Sequence, residues 1–394
     1  MMQPMLGYGR QSIAQEDIDA VVAVLRGSYL TQGPAVEQFE AALAEYVGAR
    51  YAVAVANGTA ALHIACLAAG LQSGSRALTQ AITFVASANA ALYCEASVGA
   101  VDIDPKTLGM DVSSLRNALD KSPDVSVVLP VHMAGLSGDP AQISAAANGR
   151  TIIEDACHAL GGREPEGAMV GSCKHSSMAC FSFHPVKSIT TGEGGAITTN
   201  DPELFRTLRM LRSHGTEREA ASWVERDQGF DGNEPNPWYY EQQKLGFNYR
   251  MTDLQAALGL SQLGRIEQFM AWRRKIARFY DESFSNSKRI GFFQAGEDAR
   301  ARSAHHLYIV DIDYAALGKS RRIVMSELAR RGIGTQVHYI PLYRQPFHRD
   351  LGAPSKFPNA ERYYKGCLSI PMHAALTDDD AERVVKAVRE VADA

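Results

Sequence analysis

The chain has 394 residues, 46% apolar and 21% charged; that length exceeds what one hydrophobic core usually supports, and that composition excludes disordered and fibrous classes. A formal net charge of -4 leaves no basic footprint for nucleic acid or an anionic membrane surface, so small-molecule chemistry is the expectation. Six scattered cysteines (Cys66, Cys94, Cys157, Cys173, Cys180, Cys367) form no CxxC pair and no Cys/His spacing suited to zinc. They are expected reduced, buried and metal-free. The opening MMQPMLGYGRQ lacks a charged-then-apolar leader pattern, and no run approaches the roughly 18 apolar residues of a membrane span. The expectation is a cytoplasmic protein with no membrane or nucleic-acid partner.

Between about residues 50 and 200, short apolar runs alternate with helix-like segments. Strands are predicted at 51–56 (YAVAVA), 98–102, 125–131, 151–155 (TIIED), 178–183 (MACFSF) and 195–199 (GAITT). Helices are predicted at 59–70, 85–94, 139–148 and 202–213. This alternation predicts an α/β fold with a mainly parallel sheet covered on both faces, its ligands at the carboxyl ends of the strands. Residues 217–250 are polar, aromatic and punctuated by proline, a loop length that is either functional or disordered. Trp223, Trp238, Tyr239 and Tyr240 give that loop more aromatic surface than water tolerates well, which suits docking onto another subunit. From residue 252 a long helical pattern leads into a shorter α/β segment containing HHLYIVDID and RRIVMSELARR. The expected division is a large domain at 1–251 and a smaller C-terminal domain at 252–394 with a helical connector.

Four stretches at strand ends carry candidate chemistry. Asn57-Gly58-Thr59 starts a helix after the first strand, either as an ordinary N-cap or as an anion site at a helix N-terminus. Glu154-Asp155 ends TIIED, and because neighbours on a strand point to opposite faces, only one of the two can face a site. In FSFHPVKSITTGEGG, Ser182 and Lys187 bracket His184-Pro185; Lys187 is either a solvated charge or an amine activated by its surroundings. In GFNYRMTD, Thr252 and Asp253 read as a helix start, which leaves the order Asn248-Tyr249-Arg250 unexplained. Together, a helix-N-terminus anion site, a strand-end Asp and a downstream Lys ask for a cofactor with a phosphate, a basic ring nitrogen and a carbonyl, and pyridoxal phosphate has all three.

The stretches LTQGPAVEQFE, NGTAALH, TFVASANA, EDACHALGG, FSFHPVKSITTGEGGAITTN, RSHG, GFNYRMTDLQAALGLSQL and QVHYIPLY resemble the sugar aminotransferases of the DegT/DnrJ/EryC1/StrS family across essentially the whole chain. Within that family they look most like the transaminases of the pseudaminic acid pathway. The resemblance implies the PLP-dependent transferase fold type I, a large domain with a mainly parallel seven-stranded sheet plus a smaller C-terminal α/β domain. It implies pyridoxal 5'-phosphate as cofactor, with Lys187 its covalent anchor and Asp155 the partner of its pyridine nitrogen. Gly58, Thr59 and Ser182 match phosphate contacts, Phe84 the aromatic stacked on the ring, and His158 the residue near the ring hydroxyl. Asn248 matches a residue reaching the phosphate from a second subunit, so a homodimer with shared active sites is implied. Thr31, His184, Arg250, His338 and Tyr339 are implied substrate contacts. The implied substrates are L-glutamate and a UDP-linked 4-keto sugar. Two features depart from the family pattern: NGT stands where some relatives carry a serine-containing phosphate loop, and the 217–245 loop is longer than in several.

Overall fold

A computed structural model describes residues 4–294 and 296–393. Seven strands, β1 (Tyr51–Val55), β2 (Arg76–Gln80), β3 (Ser97–Val101), β4 (Val125–Leu129), β5 (Thr151–Asp155), β6 (Met178–Ser182) and β7 (Gly195–Thr199), form one sheet in the order β1-β7-β6-β5-β4-β2-β3. The pairings among β2, β3, β4, β5 and β6 are parallel, whereas β7 runs antiparallel to both β1 and β6. The sheet is therefore mainly parallel, as expected. Alternation along each strand divides two cores. Ala52, Ala54, Ala179, Phe181 and Ala196 pack under the helix Pro34–Val47, while Val53, Val55, Cys180 and Ile197 pack under the helices Gly58–Ala68 and Pro202–Arg212.

The expected strand TIIED and GAITT coincide with β5 and β7, but β2 was not anticipated. Its sequence RALTQ lacks a β-branched run, yet Thr79 and Gln80 are buried. Thr79 Oγ1 donates to Leu129 O at 2.9 Å, and Gln80 Nε2 donates to Ile82 O and Leu108 O at 3.0 and 2.9 Å. Distant carbonyls thus satisfy the polar groups that made the segment look unlike a strand.

The long helical pattern after residue 252 is two helices, Asp253–Leu263 and Ile266–Phe284. The break is organised by Asp17, which accepts from Ser261 Oγ at 2.6 Å and Gln262 Nε2 at 2.7 Å and pairs with Arg265. Ala256, Leu263, Ile266, Phe269 and Met270 of these helices join the core beneath Pro34–Val47. Beyond them, the strands Ile290–Phe292, Tyr308–Ile312 and Cys367–Ile370 form an antiparallel sheet with Tyr308–Ile312 central. The N-terminal segment joins this module: Leu6 N donates to Gly332 O at 2.8 Å and Gly334 N to Leu6 O at 2.7 Å.

The 217–250 loop is an ordered structure of its own. Thr216–Glu217 pairs with Glu241–Gln242, and Phe230–Asp231 with Glu234–Pro235. Trp223 is buried against Phe230 and Tyr239, ring centroids 5.5 and 4.8 Å away. Half of the loop's expected surplus aromatic surface is therefore consumed internally; Trp238 and Tyr240 stay exposed. The six cysteines are free thiols, all but Cys157 buried. Among the described residues no helix is long and apolar enough to cross a membrane.

Candidate active site

The carboxyl edge of the sheet opens into a cavity of about 870 Å³ lined by Asn57, Gly58, Thr59, Phe84, Asp155, His158, Ser182, His184, Lys187, His338 and Tyr339 among others. Lys187 is placed by the chain reversal at 183–194. Phe183 is fully buried against Phe39, with rings 5.3 Å apart, and its backbone closes the turn: Phe183 N donates to Gly194 O at 2.8 Å and Thr191 N to Phe183 O at 3.0 Å. Lys187 N donates to His184 O at 2.8 Å inside that turn. Loss of hydration lowers the Lys187 pKa, opposed by Cys157 and Asp155. More of the amine is then unprotonated near neutrality than for a surface lysine.

Asp155 ends β5 facing the cavity. Its Oδ2 accepts from Ser87 Oγ at 2.6 Å and its Oδ1 from Cys157 N at 3.2 Å, and Ser87 Oγ lies 2.7 Å from Thr83 Oγ1. A carboxylate has lone pairs for more than two donors, so the one locked here can still accept from a ligand. Glu154 points to the opposite face and is buried 2.6 Å from His132 Nε2. Burial works against both charges in that pair, but each partner holds the other ionised. One carboxylate of the two faces the site, as strand alternation requires.

At the helix Gly58–Ala68, Asn57 Oδ1 accepts from Ala60 N at 2.8 Å, an ordinary N-cap. Gly58 is a separate matter. A Cβ there would lie 2.8 Å from Ser182 Cβ and 3.3 Å from Ser182 Oγ. Only glycine lets the Ser182 hydroxyl approach the helix N-terminus, whose dipole and N–H groups favour an anion. The capping and anion-site readings of NGT are thus compatible.

Phe84 is exposed toward the opening, its ring 5.8 Å from that of Tyr339. The Tyr339 hydroxyl lies 3.1 Å from His158 Nε2. Burial pushes His338 down to about 3 and His158 well below the usual imidazole range, so both rings are neutral at physiological pH.

Thr31, Asn248 and Arg250 do not line this cavity. Residues 247–250 run as an extra edge beside β1: Val55 bridges Arg250, Ala56 N donates to Tyr249 O at 2.8 Å, and Ser213 bridges Asn248. Tyr249 turns inward, its hydroxyl 3.3 Å from His63 Nδ1, while its neighbours Asn248 and Arg250 face the other way. Thr31 bridges Thr252 beside them. Thr31 and Asn248 are exposed and Arg250 is half-buried. Sequence reasoning missed Ser87 and Thr83, and also Tyr8, Gln336 and Gln345 in the lining. TFVASANA contained the first two, but nothing in its spacing tied them to an aspartate 68 residues later.

A desolvated lysine, a strand-end carboxylate fixed by hydrogen bonds and a helix N-terminus that glycine leaves open, all on the carboxyl edge of a mainly parallel sheet, fit a pyridoxal-phosphate enzyme of fold type I. The family model for the DegT/DnrJ/EryC1/StrS aminotransferase family matches residues 11–389, and the chain belongs to that family. It is 37% identical over 391 residues, 98% of this chain and 97% of the relative, to the spore coat polysaccharide biosynthesis protein SpsC of Bacillus subtilis. It is 36% identical over 384 residues, 96% of each chain, to the UDP-4-amino-4,6-dideoxy-N-acetyl-beta-L-altrosamine transaminase of Campylobacter jejuni. Among solved structures it is similar to PseC of Helicobacter pylori, an aminotransferase of pseudaminic acid biosynthesis, with TM-score 0.88, 27% identity and 99% of each chain covered. The protein is a sugar aminotransferase that uses pyridoxal phosphate.

Proposed function

We propose that the enzyme transfers an amino group from L-glutamate to C4 of UDP-2-acetamido-2,6-dideoxy-β-L-arabino-hexos-4-ulose, giving UDP-4-amino-4,6-dideoxy-N-acetyl-β-L-altrosamine. The observation that carries the reading is the convergence of Lys187, Asp155 and the Gly58/Ser182 cradle on one cavity, in a chain 36% identical to a transaminase named for that product. When bound, pyridoxal phosphate supplies the electron sink that labilises the proton on the carbon bearing nitrogen.

In this reading the chain's residues divide the work. Lys187 anchors the cofactor and, when freed, moves the proton between the cofactor and the sugar carbon. Asp155 keeps the pyridine nitrogen protonated through its negative charge. Thr59, the Gly58 N–H and Ser182 hold the phosphate, and Phe84 covers the ring. His158 serves the ring hydroxyl, and His184, His338 and Tyr339 contact substrate.

Charge supports a shared site. L-glutamate brings two carboxylates and the UDP sugar a pyrophosphate, yet no arginine is found among the described residues lining the cavity. Arg250, Asn248 and Thr31 lie together outside it, around 248–252 and its contact with residue 31. In a homodimer these three would complete the cavity of a second copy. Mixing an inactive Lys187→Ala chain with an inactive Asn248→Ala chain under subunit exchange should restore activity to about a quarter of wild type per total site, because half the dimers are mixed and each has one intact site. Verified heterodimers without activity would show that Asn248 acts within its own chain.

The likeness to SpsC keeps a second reading in play, amination of a different nucleotide-linked 4-keto sugar. A panel of UDP-, dTDP- and GDP-linked 4-keto sugars separates the two. The proposed substrate should give the highest kcat/KM; a higher value for a D-configured or dTDP-linked sugar selects the second reading.

A further inference from the structure

A second, much smaller cavity of about 10 Å³ shares Lys187 with the active site and is lined by Arg10, Ser12, Ser188, Thr190 and Arg273 among others. Among the described residues lining it, Arg10, Lys187 and Arg273 are cationic and none is an aspartate or glutamate. Arg273, on the helix Ile266–Phe284, is 1% exposed. Its Nη1 donates to His305 O at 3.1 Å, His306 O at 3.4 Å and Met372 O at 3.1 Å, and its Nε has no hydrogen-bond partner. Burial lowers its pKa to about 10 with no carboxylate to oppose the shift, and the guanidinium still stays charged at neutral pH. The positive field reaches a neighbour: His373 is pushed down to about 4, first by burial and then by the Arg273 and Arg10 charges. A buried cation held only by carbonyl dipoles, with a donor left over, is costly unless an anion joins it.

We propose that this cavity binds one small monovalent anion of chloride size, held by the Arg273 guanidinium and Arg10, with Ser12 and Ser188 as hydroxyl donors. Charge and size together select the ligand. The volume has room for about one water-sized guest, which admits a halide and excludes sulfate or phosphate. Arg10 is exposed, so an ion arriving from solvent meets one guanidinium before it reaches the buried one. Pro185, Lys187, Ser188 and Thr190 of the 183–194 turn line this cavity together with residues 10–12 and Arg273. The ion therefore ties the turn that carries Lys187 to the helix Ile266–Phe284 and to the N-terminal segment.

The test uses the pyridoxal-phosphate-loaded enzyme, with sodium bromide and sodium chloride as probes. Crystals soaked in bromide should show an anomalous scattering peak beside the Arg273 guanidinium. In solution, replacing gluconate by chloride at constant ionic strength should raise Tm by about 2 °C and saturate below about 100 mM, the behaviour of a ligand held by the native state alone. Arg273→Met should abolish the rise, and Arg10→Gln should increase the chloride concentration giving half of it by at least about threefold. No bromide peak overturns the proposal, as does a peak without a saturable chloride effect on Tm, or a chloride effect undiminished in Arg273→Met. Should Arg273→Met fail to fold, the wild-type bromide peak and Arg10→Gln decide, and an unshifted chloride dependence in Arg10→Gln overturns the site. All of these outcomes leave the aminotransferase reading standing, because none of them measures turnover or cofactor binding.

Discussion

Replacing Lys187 by alanine should lower turnover by about ten-thousand-fold while leaving the fold intact. The side chain projects from a turn whose stability comes from Phe183 and its backbone hydrogen bonds, none of which uses the amine. The expected loss is the upper range for a positioned proton-transfer group, about 5.5 kcal/mol of barrier, because one amine both anchors the cofactor and moves the proton. Borohydride reduction of the wild-type holoenzyme should fix the cofactor on the peptide containing Lys187. Cofactor recovered on another lysine, or a Lys187→Ala chain with near-normal turnover, would remove Lys187 from the chemistry. Circular dichroism of the variant separates lost chemistry from lost structure.

Asp155→Ala should reduce turnover by at least about 100-fold. Its charge is held where β5 ends, by Ser87 Oγ at 2.6 Å and Cys157 N at 3.2 Å. Removing the carboxylate leaves both donors without their acceptor, so a stability loss of about 1–3 kcal/mol should accompany the kinetic defect. Asp155→Asn separates the two effects: its carbonyl oxygen can still accept a hydrogen bond, but no negative charge remains. Turnover in Asp155→Asn should stay as low as in Asp155→Ala while most of the stability returns. The cofactor should still bind in both variants, since the approach of Ser182 to Gly58 does not use the Asp155 carboxylate. Near-normal turnover in either variant contradicts the assigned role.

How much of this was legible in sequence follows from where each interaction is encoded. β5 and β7 were readable because each carries a β-branched run, Asp155 was readable as a candidate because it ends β5, and Lys187 because it lies in the turn-prone stretch between β6 and β7. The resemblance, rather than periodicity, carried their roles. β2 was not legible, because its burial depends on Leu129, Ile82 and Leu108 accepting hydrogen bonds from Thr79 and Gln80. The break between the helices Asp253–Leu263 and Ile266–Phe284 was hidden for the same reason: Asp17 organises it from 248 positions away in the case of Arg265. The order of the 217–250 loop rests on Glu241, whose carboxylate accepts from Val224 N at 2.8 Å and Glu225 N at 2.7 Å. A reading of local pattern sees a polar loop there and no partner for the glutamate. Thr31, Asn248 and Arg250 illustrate the converse. The resemblance grouped them with the site, but none of the three lines the cavity of its own chain: alternation along 247–250 turns Asn248 and Arg250 away from it, and Thr31 bridges Thr252 beside them.

The central claim is amination of a UDP-linked 4-keto sugar at C4, and the product's identity tests it most directly. The purified enzyme, pyridoxal phosphate and L-glutamate would be coupled to the dehydratase that generates the keto sugar, and the product analysed by NMR. The account predicts a nitrogen-bearing C4 with the L-altro configuration, formed one for one with 2-oxoglutarate. Amination at a different carbon, a product of another configuration, or no 2-oxoglutarate would contradict it.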